Sequence, residues 1–553
     1  MRTLLCAVNS KYIHSNPAIY YLSTQAKELE GMYGGNIGEI DLKEFTVNDV
    51  YENVLYEIMT KKYDIVAFSV YIWNVMFVSR LTQDIKKVDP NCLIVVGGPE
   101  VTYGTEHTSL VYDYVIQGEG ERAFYALLRS NNDKEGVMNL PFDFSVDEKV
   151  VRATPMEDLK DIPFIYNKDN ISYFDNRIIY YESSRGCPYS CAYCLSSVEK
   201  GVRYLDLDRV YKDMDFFIES GVKQVKFVDR TFNCNKERTY AIFSYIIDKA
   251  KDVDMNFHFE VGADLFTEDV LDLLQGAPKG LIQFEAGIQS TYEKALEESV
   301  RKTDLNKCFE NIKRIISMNN IHMHVDLIAG LPYESLEVFK NSFNEAYLLF
   351  ANQLQLGFLK LLPGTRLNDL VEKHGYVFSK HPPYEVLGNS YMDYQDLAAL
   401  KRVEEVLNKL YNSGRFYFTL QKLLELFETP YDMYERIANY FEETGNLFRP
   451  ISARSLYDIL FDFIGSAFPK RKDEFAEYLL LDYHASDRSD FPPASIQYLW
   501  KQEKKSKEEI FKILEEKSLD KSFMNSIRFV GDKAYIFDYS QKNKVTERYD
   551  MLT

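Results

Sequence analysis

A chain of 553 residues is too long for one hydrophobic core, so roughly two to four domains are expected. With 46% hydrophobic and 27% charged residues, disorder is not expected over most of its length. The net charge of −19 excludes a general affinity for nucleic acid or for an anionic membrane, both of which are polyanions. The basic stretch KQEKKSK (Lys501–Lys507) reads as a solvated helix face. The opening MRTLLCAVNS has no long apolar region and no small-residue cleavage site, so it reads as a first strand rather than a signal peptide. No window approaches the roughly 18 apolar residues that span a bilayer. A cytoplasmic location is expected, and thiols stay reduced there.

Residues 1–130 alternate short β-rich runs with helical patterns at 17–30, 48–60, 75–88 and 120–129. The runs are TLLCAV, NIGEIDL, DIVAFSV, CLIVVGG and DYVIQG. They carry few polar interruptions, which marks strands covered on both faces and predicts a Rossmann-like, doubly wound parallel sheet. Ligands in such sheets sit beyond the carboxyl ends of the strands. That edge carries NSKYIHSNP (9–17), SVYIWN (69–74), GGPEV (97–101) and QGEGE (117–121).

Residues 131–178 lose this rhythm and read as a linker with little structure of its own. A second βα series then fills 179–365, with strands IIYYESS, VKQVKFVD, MNFHFEVG, GLIQFEAG, IHMHVDLIAG and QLQLGFLKL. Six βα units predict a partial (β/α)6 barrel with its chemistry at the strand C-termini. Residues 366–553 read as a mainly helical C-terminal domain, rich in Tyr and Phe, that closes in a small β-hairpin with GD at the turn. Aromatic residues at helical spacing are expected to be core.

The stretch SSRGCPYSCAYCLSS (183–197) gathers Cys187, Cys191 and Cys194, three of only seven cysteines. A structural zinc site asks for four Cys or His ligands, usually in paired knuckles, and no second knuckle follows. Cys6, Cys92, Cys234 and Cys308 are scattered singly and are expected to act as small hydrophobes. Three thiolates on one loop suit a [4Fe-4S] cluster with one iron left open. A metal site completed by a remote ligand such as His258 stays open at this point.

CPYSCAYC resembles the signature of the radical S-adenosylmethionine (radical SAM) superfamily. The resemblance implies that the three cysteines hold a [4Fe-4S] cluster, that Tyr193 packs beside adenine, and that SAM chelates the fourth iron. KFVDRTFN (226–233) is similar to the second-strand motif near the SAM amino group, with Asp229 as the polar candidate, although Gly-Gly-Glu is not literally present. FEVGADL (259–265) and FEAGIQS (284–290) resemble strand ends that contact SAM, through Glu260, Glu285 and Gln289. DLIAGLPYES (326–335) resembles the glycine-containing strand end along adenine, at Gly330, and LLPGTRL (361–367) the closing phrase of this branch. Each of these carboxylates has the alternative of a capped turn or an ion pair.

A Rossmann-like domain ahead of such a barrel resembles the cobalamin-binding class, in a bacterial subgroup with a helical C-terminal extension. The resemblance places Ser69, Gly97, Gly98 and Glu119 at the cobalamin. Glycines at strand ends also let backbone approach a bulky ligand closely. The Asp-x-His-x-x-Gly loop that supplies a cobalt ligand in many cobalamin proteins is absent. His14 is the only imidazole in the first loop, open to ligating cobalt, contacting the corrin or bonding a loop carbonyl. The implied activity is reductive cleavage of SAM to a 5′-deoxyadenosyl radical, and with cobalamin a methyl transfer from methylcobalamin to an unactivated carbon. Flavodoxin or ferredoxin is the implied electron donor. Arg185 and Arg203 flank the cysteines, free either to neutralise cluster charge or to be ordinary surface arginines. Two rivals remain: a radical SAM enzyme that has lost cobalamin and keeps the first domain for substrate binding, and a non-catalytic iron–sulfur electron-transfer or sensor protein.

Overall fold

Short apolar runs set up the first sheet, and helices cover both of its faces. The computed structural model describes residues 1–552 except 107, 133–135, 137–138, 143, 199, 490, 503–506 and 532. The side chains of the basic run 501–507 lie outside the described residues. The chain clusters into two units, the first Met1–Glu260 with Ser299–Arg301 and Lys360–Leu387, the second the remainder.

In the first unit the strands are β1 (Arg2–Asn9), β2 (Glu39–Thr46), β3 (Ile65–Ser69), β4 (Leu93–Gly97), β5 (Tyr114–Gln117), β6 (Phe144–Asp147) and β7 (Val150–Ala153). Their order is β2-β1-β3-β4-β5-β7-β6, all parallel except β6, which runs antiparallel to β7. Leu4 to Val8 of β1 are all buried, as a strand covered on both faces requires. Helices α1 (Pro17–Tyr33), α2 (Tyr51–Met59), α3 (Val75–Val88), α4 (Pro99–Thr102) and α5 (Gly120–Asn132) lie between the strands in sequence. Val75, Val78, Leu81 and Ile85 of α3 recur at helical spacing and are buried, which explains why this segment is a helix that packs on the sheet. The expected linker 131–178 differs from its reading: β6 and β7 within it extend the sheet. Their short, polar alternation hid them in the sequence.

The same unit holds β8 (Ile179–Tyr181), β11 (Gln224–Phe227) and β12 (Asn256–Glu260), parallel in the order β12-β11-β8. They alternate with α6 (Leu207–Ser220) and α7 (Lys236–Lys249). Phe227, Phe232, Phe243 and Phe259 pack ring to ring in the core here. Between β8 and α6 the chain forms a two-stranded antiparallel ribbon, β9 (Ser184–Cys187) and β10 (Gly201–Tyr204).

The second unit contributes β13 (Ile282–Gln289), β14 (His322–Ala329) and β15 (Gln353–Phe358), parallel in the order β15-β14-β13. The second βα series therefore supplies three strands to each unit. Helical segments Tyr394–Leu410, Pro430–Glu443, Ala453–Ala467 and Lys472–Ser486 follow. Tyr431, Tyr434, Tyr457 and Tyr483 are fully buried there, so the aromatic stripe is core, as expected. The closing hairpin gains a third strand: Ile527–Val530, Lys533–Lys542 and Tyr549–Leu552 form one antiparallel sheet. Residue 532 of its GD turn lies outside the described residues. Among the described residues no helix is long and apolar enough to cross a membrane.

One glycine shapes the edge of the first sheet. Gly98 has φ +113°, and a Cβ there would lie 2.5 Å from the Val70 carbonyl oxygen. Both the backbone conformation and the space therefore exclude a side chain. Gly98→Ala is expected to cost about 2 kcal/mol or more of stability. Thermal unfolding of the full chain checks this, and a midpoint equal to wild type would contradict it.

Candidate active site: the cysteine loop and the clefts of the first sheet

The cysteine loop hangs from the β9–β10 ribbon. Cys187 ends β9 and pairs with Gly201, while Arg185 pairs with Arg203. Gly186 has φ +102°, and a Cβ there would sit 2.2 Å from the Gly201 carbonyl oxygen, so the tight pairing next to Cys187 depends on glycine. Beyond the ribbon the loop backbone is held from two sides. Ala192 N–H donates to Ser299 O at 2.8 Å, and Leu367 N–H donates to Ala192 O at 2.8 Å. Leu367 belongs to LLPGTRL, which accounts for that phrase. Ser197 Oγ donates to the carbonyls of Cys191 and Cys194 at 2.9 and 2.6 Å.

Asp229 holds the entry to the loop. It accepts Ser183 N–H at 2.9 Å, Ser183 Oγ–H at 2.7 Å and Ser184 Oγ–H at 2.5 Å, and it is almost wholly buried. Burial pushes its carboxyl up to about 6 against the pull of those hydroxyls. The carboxylate is held by one backbone N–H and two serine hydroxyls at the loop entry, as in the capped-turn alternative of the sequence reading.

Cys191 is buried, and burial pushes its thiol up while Arg301 pulls it down. Burial likewise raises the Tyr193 phenol, again opposed by Arg301. Arg301 was not singled out in the sequence, because it follows a different helix and no local spacing ties it to the cysteines. Cys187 Sγ lies 3.7 Å from Thr231 Oγ1. Cys234 is half-buried and its thiol meets Tyr204 Oη at 3.2 Å, unlike the core cysteines Cys6, Cys92 and Cys308. Glu260 sits 3.9 Å from Lys226 Nζ, the ion-pair alternative. His258 is buried on β12. Among the described residues no three Cys, His, Asp or Glu side chains are grouped for a single metal ion. A loop of three soft thiols with a cation at its buried member fits a cluster.

Clefts open at the carboxyl edge of the first sheet, where the topology predicts a ligand. One of about 260 Å3 is lined by Phe68, Ser69, Gly97, Gly98, Leu22 and Phe124. Another of about 310 Å3 is lined by Asn9, His14, Tyr71, Trp73 and Tyr180. Tyr71 and Trp73 stack at 4.3 Å and 9°, and Trp73 Nε1–H donates to Val8 O at 3.2 Å, giving a flat apolar wall that the sequence did not reveal. His14 Nδ1 lies 2.6 Å from Tyr180 Oη. Burial lowers its pKa, helped by Lys11 and Lys226, so the imidazole is neutral near pH 7. Asn16 Nδ2–H donates to Ser69 Oγ at 3.3 Å. Strand ends stripped of side chains beside roomy apolar walls fit a large flat cofactor.

Glu119, expected at the cobalamin, lines a cleft beside Gly98 and Gly118 and is also paired with two arginines. Its Oε1 lies 2.6 Å from Arg203 Nη2 and 3.4 Å from Arg185 Nη1, and its Oε2 accepts Met156 N–H at 2.8 Å. The two arginines are thus committed to carboxylates rather than to the surface.

In the second unit, Gln289 ends β13 with φ +71° at a register shift. Its side-chain carbonyl oxygen is buried without a hydrogen-bond partner among the described residues, as a group awaiting a donor would be. Glu285 lies on β13 opposite His324 of β14. Gly330 has φ +95°, and its carbonyl accepts Asn389 Nδ2–H at 3.0 Å. Glu334, four residues on, was missed because DLIAGLPYES was read for its glycine. It is fully buried, and Oε1 accepts Ser290 Oγ–H at 2.6 Å and Ser342 Oγ–H at 3.1 Å.

Comparison with known proteins now decides the family. A model of the radical SAM superfamily matches residues 181–346, and one of the B12 binding domain matches 4–128. The chain carries a radical SAM domain preceded by a B12 binding domain. A third model, described as a protein of unknown function (DUF4080), matches 372–544. The chain is 27% identical to the cobalamin-dependent radical SAM methyltransferase TokK of Streptomyces tokunonensis over 56% of this chain and 49% of that protein. It is 26% identical to the 2-(S-pantetheinyl)-carbapenam-3-carboxylate methyltransferase of Streptantibioticus cattleyicolor over 50% of this chain and 44% of that one. An uncharacterized methyltransferase of Pyrococcus horikoshii, PH0819, is 28% identical over 51% of this chain and 63% of its own length. The chain thus spans 44 to 63% of these curated relatives. In fold it resembles the cobalamin-dependent SAM radical enzyme OxsB, with TM-score 0.57 and 14% identity over 91% of this chain and 83% of that one. It also resembles the radical SAM methyltransferase TsrM of Kitasatospora setae, with TM-score 0.55 and 18% identity over 68% and 77%. A radical SAM domain implies SAM and a [4Fe-4S] cluster and calls for a reductant, and the B12 binding domain supports cobalamin.

Glu334 yields a pH prediction. Burial pushes its carboxyl from the ordinary 4.5 up to about 7, against the two serine hydroxyls. The native chain then keeps a proton that the unfolded chain releases. The corresponding stability is fully present below the unfolded value and is lost as pH rises through about 7. Glu334→Gln is expected to flatten that dependence, measured by urea unfolding from about pH 5 to about pH 8. An unchanged slope in the variant would contradict the assignment.

Proposed function

We propose that this chain is a radical SAM enzyme that binds cobalamin and methylates an unactivated carbon. The observation that carries the reading is a three-cysteine loop, clamped at its backbone, in the same unit as ligand-sized clefts at the carboxyl edge of a parallel sheet. When bound, the cluster supplies the electron for reductive cleavage of SAM, and the corrin supplies a methyl group. The protein's share is to hold, orient and exclude water.

Cys187, Cys191 and Cys194 would hold a [4Fe-4S] cluster, which would supply a binding place for SAM beside them. Arg301 offsets negative charge at Cys191. Tyr193 packs at the adenine. Glu260, Glu285, Gln289 and Gly330 take the remaining SAM contacts, supported best at Gln289 by its unbonded carbonyl and at Gly330 by its bare, left-handed backbone. Asp229 acts on SAM only through the loop entry that it fixes. On the other cofactor, Gly97 and Gly98 let the backbone approach the corrin's tail, Ser69 lines its cleft, and His14 presents a neutral imidazole to the second cleft. Flavodoxin or ferredoxin is the class of electron donor proposed. Methyl transfer is favoured over other radical outcomes because three of the relatives are named as methyltransferases.

The test is anaerobic reconstitution with iron, sulfide and cobalamin, followed by SAM and a strong reductant. Formation of 5′-deoxyadenosine is expected in wild type and is expected to fall to background in Cys187→Ala, Cys191→Ala and Cys194→Ala. Wild type that keeps its cluster yet forms none would overturn the enzymatic reading. S-adenosylhomocysteine formed only with cobalamin present supports methyl transfer, and its absence would sink that part alone.

A further inference from the structure

The ribbon that carries Cys187 is held by charge as well as by backbone pairing. Arg185 and Arg203 face each other across β9 and β10, two residues from the Cys187–Gly201 pair. The Gly118–Glu121 stretch that follows β5 brings two carboxylates to them. Glu119 Oε1 lies 2.6 Å from Arg203 and 3.4 Å from Arg185, so one carboxylate bridges both strands. Glu121 meets Arg185 Nη2 at 2.9 Å, and Glu182 meets it at 2.8 Å. All five side chains are at least four-fifths buried. Burial pulls the Arg185 pKa down, but the charges of Glu121 and Glu182 outweigh it and push it up. Burial would neutralise Glu119, but the hydrogen bond from Arg203 and the charge of Arg185 hold it ionised. Removing one member of such a network leaves an uncompensated buried charge. Glu121 and Arg185 are 64 residues apart in sequence, so the contact joins the first sheet to the ribbon. Gly118, Gly120, Glu121 and Arg185 also line the cleft at the sheet edge.

We propose that Glu119 is a positioning residue for the cysteine loop: by bridging Arg185 and Arg203 it fixes the ribbon, and hence Cys187, against the edge of the first sheet. The inference rests on the reading that Cys187 holds a cluster. It gives the two carboxylates of QGEGE a role at the cluster loop, while its glycines line the cleft. The wall of the cleft and the root of the cluster loop become one set of contacts.

Full-length Glu119→Ala, Glu119→Gln, Arg203→Ala and the double variant Glu119→Ala/Arg203→Ala, reconstituted anaerobically, test it. The readouts are the change that SAM produces in the cluster's electron paramagnetic resonance signal and the rate at which a ferrous chelator strips iron. Glu119→Ala and Arg203→Ala are each expected to speed iron loss about tenfold and to weaken the SAM-induced change, since each breaks the same buried pair. The double variant is expected to match the single ones, because residues acting through one contact are not additive. Glu119→Gln keeps the size of the side chain and guards against a folding defect, with circular dichroism as the control; it is expected to show the intermediate effect. Wild-type behaviour in both Glu119 variants overturns the proposal, and so does additivity in the double variant. A wild type whose cluster ignores SAM sinks the functional reading instead, while the iron-loss comparison still decides the role of Glu119.

Discussion

Cys187, Cys191 and Cys194 lie within eight residues, and three ligands that close together can serve one site only if the backbone between them is fixed. Everything proposed for this protein therefore depends on a backbone held in place by the rest of the fold. Ser299 and Leu367 grip Ala192 from opposite sides, Asp229 fixes the serines at the loop's entry, and Gly186 lets β10 close onto β9. These partners come from four separate places in the chain. A loop that recruits its supports so widely is pre-organised, and pre-organisation is what a site must have to hold a reactive ligand set.

The apolar runs of the first domain were legible because both faces of a parallel strand must be buried, which leaves a near-continuous hydrophobic signal. The observed strands fall on every run read there, and α3 matches its helical pattern end to end. Elements set by other forces were not legible. β9 and β10 are short and polar and owe their pairing to a left-handed glycine. β6 and β7 are paired outer strands with half-exposed residues. The third C-terminal strand, Tyr549–Leu552, carries no alternation that marks it.

At the site, the cysteines were legible because their spacing is local. The supports from Ser299, Leu367 and Asp229 were not, because those hydrogen bonds reach across distant parts of the chain. Asp229 shows the difference well. Its sequence context pointed to a ligand contact, whereas three hydrogen bonds to Ser183 and Ser184 commit it to the loop. Arg185, Arg203 and Glu119 were noted singly, and only the fold unites them. Trp73 and Glu334 passed as ordinary residues because an exposed tryptophan and a buried carboxyl are distinguished by surroundings, not by neighbours in the chain.

The central claim is that one chain holds both a cluster and a corrin. The most direct measurement titrates the anaerobically reconstituted full-length protein with hydroxocobalamin, removes free corrin by gel filtration, and reads corrin absorbance against iron. The account predicts about one corrin and about four irons retained per chain, with the corrin retained even when the three cysteines are replaced, because the clefts belong to the first sheet. Iron retained without corrin would contradict it and leave the first domain with a different ligand.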